Sequence, residues 1–175
     1  ELFTDRERAA LALTEAVTKI SEDGVPDEVW EQVRAVFDDM VELEGLAESL
    51  APVWSAPDAV QALRAWVYHV ADYHPRLMAV DRAVERMRHH DPDAQAHRAT
   101  VTEAQMASCH RLAEWLHREG RLAAPWSVEE AADMLFALVS TDLFARLLEL
   151  RGWSGEAVAE QMWALHRSTF VAEAT

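Results

Sequence analysis

The chain of 175 residues carries 31 acidic and 16 basic side chains, a net charge of −15. That sign is wrong for a phosphate backbone, so direct DNA binding by this chain alone is not expected. A lone cysteine, Cys109, excludes an internal disulfide or a CxxC redox pair and fits a reducing compartment, with the cytoplasm as default; no run of about 18 apolar residues predicts a membrane span, and no apolar leader predicts secretion.

Only five glycines, no alternating β-branched segments and abundant Ala, Leu, Glu and Arg predict an all-α fold. Thr4 with Glu7 forms a capping-box pattern ahead of Ala9, Leu13, Val17 and Ile20 at helical spacing, and Gly24 ends that helix. Pro26 suits a first helical turn, and Val29, Trp30, Val33 and Phe37 continue an apolar face, so residues 1–39 read as a helical hairpin. A third helix follows from Met40 and is expected to close at Pro52 and Pro57. Asp58 caps a helix bearing Leu63, Trp66, Val67, Val70 and Tyr73, with a break expected at His74-Pro75. A shorter helix then holds Leu77, Met78, Val84 and Met87. Asp91 caps a long helix whose broad apolar face includes Met106, Cys109, Leu112, Trp115 and Leu116, and Gly120 stops it.

Ser127 and Glu130 form a second capping box that launches a helix reaching to Gly152. Its apolar residues occupy nearly every angle: Ala131, Leu135 and Leu138 mark one stripe, Met134, Phe136, Phe144 and Leu148 others. Such a helix needs cover on two sides, one from its own core and one from a second copy. A last helix after Ser154 carries Val158, Met162, Leu165 and Phe170.

Ala131-Ala132-Asp133, the segment from Leu138 to Phe144 with its polar Ser140-Thr141-Asp142 interruption, and Arg151-Gly152-Trp153-Ser154 resemble the end of the C-terminal domain of TetR-type transcriptional regulators. The resemblance covers residues 40–175 and implies a bundle of seven to eight helices, with the hairpin, whose last two helices form a four-helix dimer interface. Leu135, Leu138, Phe144, Leu148, Val158, Met162 and Leu165 would divide between subunit core and dimer seam. It also implies a pocket for a small apolar or aromatic ligand among Trp66, Tyr73, Met78, Met87, Met106, Cys109, His110 and Trp115, since Met and aromatic groups adapt to varied ligands. The same side chains would equally serve as ordinary core. No small-residue turn with a basic recognition helix precedes this region, and Glu22, Asp23, Asp27, Glu28 and Glu31 would face phosphates badly.

The opening, with its helix from Phe3 to Thr18 and the turn Val25-Pro26-Asp27-Glu28-Val29, is similar to part of an alkylhydroperoxidase D or carboxymuconolactone decarboxylase-like domain. The CxxC pair that carries peroxidase chemistry in that family is absent. A start at Glu1 rather than Met leads to the expectation of a piece of a longer product.

His110, Glu114 and His117 share one face of the long helix, but ligands spread over two turns cannot all reach one ion, so a solvated face is expected rather than a metal site. Cys109 and His110 point about 100° apart around a helix and make no dyad. The expectation is therefore a non-enzymatic, cofactor-free sensing and dimerisation domain. An alkylhydroperoxidase-like enzyme fragment and a purely structural helical dimer are the alternatives.

Overall fold

The computed structural model describes residues 46–89 and 91–173. The hairpin expected at 1–39, and the start of the helix expected from Met40, lie outside the described residues. The fold is all-α: α1 (Leu46–Trp54), α2 (Ala59–Met87), α3 (Pro92–Arg118), α4 (Val128–Ala137), α5 (Thr141–Ala145), a π-helical turn (Arg146–Leu150) and α6 (Gly155–Phe170). No helix among the described residues is long and apolar enough to cross a membrane.

Helix starts follow local side-chain chemistry. Asp58 Oδ1 accepts from the Gln61 N–H at 2.8 Å, and Asp91 Oδ1 accepts from Ala94 at 3.0 Å, with Pro92 opening α3. At α4 the Glu130 N–H donates to Ser127 Oγ, and the Ser127 N–H donates to Glu130 Oε2, both at 3.1 Å. These bonds satisfy amides that a helix cannot pair internally. Gly120 and Gly152 have φ of +63° and +68°, the left-handed conformation in which glycine ends a helix without strain.

Three expectations about continuity are corrected. Pro75 does not break the chain; it lies inside the 29-residue α2. An interior proline costs about 3 kcal/mol, but the buried stripe of Val67, Val70, Ala71 and Met78 continues across it. Each such side chain contributes roughly 1.5–3 kcal/mol when fully buried, apart from the smaller alanine, so packing outweighs the local penalty. Pro52 likewise sits within α1 rather than closing it, next to the fully buried Val53. Conversely, the helix expected to run unbroken to Gly152 is divided: Ser140 is extended (φ −60°, ψ 126°), and winding resumes at Thr141 and loosens to π at Arg146. Ser, Thr and Asp in sequence compete for backbone hydrogen bonds and weaken a helix interior.

The chain divides into two compact units, one holding Glu48–Ala79 and Thr100–Thr175, the other including Val80–Ala99. In the smaller unit Val84, Met87 and Ala94 are buried. Arg98 pairs there with Asp81 at 2.8 Å and with Glu85 at 3.5 Å, while Arg88 pairs with Glu85 at 2.7 Å. The larger unit has one apolar core, built from Leu63, Trp66 and Val67 of α2, Cys109, Leu112 and Leu116 of α3, Leu135 of α4, Phe144 of α5, and Val158 and Phe170 of α6.

Polar contacts fix the helices around that core. The Ala59 N–H at the start of α2 donates to Glu119 Oε2 at 3.0 Å, and Trp115 Nε1–H donates to Glu119 Oε1 at 2.6 Å. A carboxylate there also faces the positive end of the helix dipole. The end of α6 is clasped: Ala123 N–H donates to the Phe170 carbonyl at 3.0 Å, Ala172 N–H to the Arg121 carbonyl at 2.8 Å, and Trp126 Nε1–H to the Thr169 carbonyl at 2.9 Å.

Candidate functional site

The α5 segment, its π-turn continuation and α6 enclose an open groove of about 630 Å³. Leu143, Leu147, Trp153, Met162 and Leu165 supply its apolar surface; Ser140, Asp142, Arg146 and Gln161 supply polar groups. The local sequence explains its form. Phe144 and Ala145 turn inward and are buried, which leaves Leu143 and Leu147, one turn apart, on the outer side. Gly152 then reverses the chain and Trp153 lands at the groove, 39% exposed.

The residues expected at a dimer seam separate. Leu135, Phe144 and Val158 are fully buried in the core, and Leu138 and Leu148 are half-buried against it. Met162 and Leu165 line the groove, with Leu165 44% exposed. Among the described residues the large apolar side chains with substantial exposure are Met134, Leu150, Trp153 and Leu165, all between α4 and α6. Of these four, Trp153 and Leu165 line the groove.

Those expected around a ligand are divided between the two units. Trp66, Met78 and Cys109 join the apolar core of the larger unit, with Trp115 packed half-buried against it. Tyr73 is also buried, its ring stacked on His69 at 5.2 Å with the Arg76 guanidinium 5.3 Å from the ring centre. Met106 is half-buried, His110 is exposed, and Met87 is buried in the smaller unit. The arrangement at Trp66 and Cys109 is that of a packed interior.

No family model, curated protein or solved structure matches this chain.

Side-chain chemistry bears on the remaining candidates. Burial pushes the Cys109 thiol up to about 12, so almost none is thiolate at neutral pH. His110, Glu114 and His117 are all exposed on α3, and no metal-ligating cluster occurs among the described residues. His166 of α6 is buried between Trp66 and Phe170, at ring distances of 6.1 and 5.8 Å. Its Nδ1–H donates to the Met162 carbonyl at 2.7 Å, and its Nε2 has no partner among the described residues. Desolvation lowers its pKa, opposed in part by the Met162 bond. His69 is lowered to about 4, by burial first and then by His74 and Arg76, while its Nδ1 lies 2.6 Å from Ser49 Oγ.

Sequence reasoning missed most of the groove. Leu143 and Leu147 were legible as an i,i+4 pair, and Trp153 as an aromatic stranded after a glycine turn. Asp142 and Arg146 carried no signal alone, because acid and base at that spacing usually pair on a helix surface.

Proposed function

We propose that this chain is the small-molecule-sensing and dimerising domain of a TetR-like transcriptional regulator, without a recognisable helix-turn-helix in its sequence and located in the cytoplasm. The observation that carries the reading is the groove beside α6, with Leu143, Leu147, Trp153 and Leu165 on its surface. Two copies meeting there would withdraw these side chains from water, at roughly 25 cal/mol per Å². The functional chemistry is binding: a buried, protonated Cys109 does not favour the thiol chemistry of an alkylhydroperoxidase-like enzyme.

Sensing would use the helices bearing Trp66, Met78 and Cys109. A ligand there acts only through differential affinity for two packings of those helices, because equal affinity moves no equilibrium. The close burial of all three favours, as second reading, a purely structural helical dimer.

Sedimentation at micromolar concentration tests dimerisation: a dimer that Leu165→Glu converts to monomer is expected, and a monomeric wild-type chain would refute it. Anilinonaphthalene sulfonate separates the two readings. Saturable binding that quenches tryptophan fluorescence, and is altered by Trp66→Phe, favours a sensor; no binding by a stable dimer favours the structural reading.

A further inference from the structure

Asp142 and Arg146 stand one helical turn apart in the acid-first order that favours an ion pair. The same spacing in α2 closes one, Asp72 with Arg76 at 3.0 Å, and the three-residue spacing of Glu85 and Arg88 closes another at 2.7 Å. Asp142 and Arg146 do neither: both are exposed, both line the groove, and neither side chain has an ion-pair or hydrogen-bond partner among the described residues. At Arg146 the backbone passes from α to π winding. Two opposite, solvent-facing charges therefore lie beside Leu143 and Leu147 along the groove.

The geometry points to a second copy of this chain as the occupant, packed antiparallel so that Asp142 of each protomer pairs with Arg146 of the other. This inference rests on the dimer reading above and adds its register. In a two-fold interface, whatever residue i meets on the partner meets i in return, so an acid and a base one turn apart satisfy each other twice. Parallel packing of the same segment would oppose acid to acid and base to base, so the charge order selects one orientation. The apolar side chains beside them supply the contact, and the charges supply specificity. An interfacial arginine also offsets repulsion between two copies of net charge −15.

Sedimentation equilibrium of the full chain at fixed salt tests this with Asp142→Arg, Arg146→Asp, the double swap, and a 1:1 mixture of the two single variants. Each single variant opposes like charges at both contacts and is expected to weaken self-association roughly tenfold or more. The double swap and the mixture restore opposite charges at both contacts and are expected to recover most of the lost affinity. Both positions are exposed, so unchanged helicity by circular dichroism is expected in every variant. A wild-type dimer broken by Leu165→Glu but indifferent to the charge swaps would overturn the register and spare the dimer. Failure of the mixture to recover would also overturn it. A monomeric wild type would overturn both and leave the groove to another occupant.

Discussion

Two buried histidines set how the core responds to acid. His69 and His166 both have pKa values below the ordinary 6.5, His69 at about 4 and His166 lowered by desolvation. The unfolded chain therefore takes up protons first as pH falls below 6.5. Stability is complete above that value and is lost as pH falls toward the folded-state pKa, for His69 between about 6.5 and 4. At about 1.4 kcal/mol per pH unit, His69 alone accounts for up to about 3 kcal/mol. Urea unfolding at pH 7.5 and 5 is expected to give a lower midpoint at pH 5, and His166→Phe to reduce the difference. Equal midpoints would show that neither histidine stays neutral in the folded state. Cys109 makes a parallel test: fully buried and protonated, it is expected to react with a thiol reagent at pH 7.5 only as fast as the chain opens, and rapidly in denaturant.

At the scale of the helix, side-chain capping separates two serines that look alike in sequence. Ser127 makes both bonds of a capping box at α4, whereas Ser140 precedes α5 without a side-chain cap. Ser127→Ala is expected to cost about 1 kcal/mol, or roughly 2–4 °C in melting temperature; Ser140→Ala should stay within about 0.5 kcal/mol. Equal losses at the two sites would contradict the capping geometry. The starts were legible because a cap is a local event: Asp58, Asp91, Ser127 and Ser154 each act on an amide within three residues. The continuity of α2 through Pro75 was not, since it depends on what Val70, Ala71 and Met78 meet from elsewhere in the larger unit. The division at Ser140 lay between: its polar triplet was visible, while the extended backbone and the π-turn after it depend on Phe144 being drawn into the core. The groove was hidden for the same reason, because apolar periodicity marks residues that avoid water without saying which of them the core has room to cover.

For the molecule as a whole, the charge of −15 opposes any association between copies. At about 0.01 M salt the screening length is about 30 Å, enough for most charges on one protomer to act on its partner; at 0.15 M it is about 8 Å, and only close groups interact. Salt thus acts oppositely on the two electrostatic contributions to a dimer. It removes long-range repulsion among many carboxylates and weakens the few opposite-charge contacts at the groove, which are shielded in part by the apolar side chains beside them. Repulsion involves far more charges, so self-association is expected to tighten severalfold between 0.01 and 0.15 M sodium chloride. Sedimentation equilibrium across that range measures it. Steady weakening with salt would mean that close ion pairs dominate the interface and that the net charge is distributed away from it.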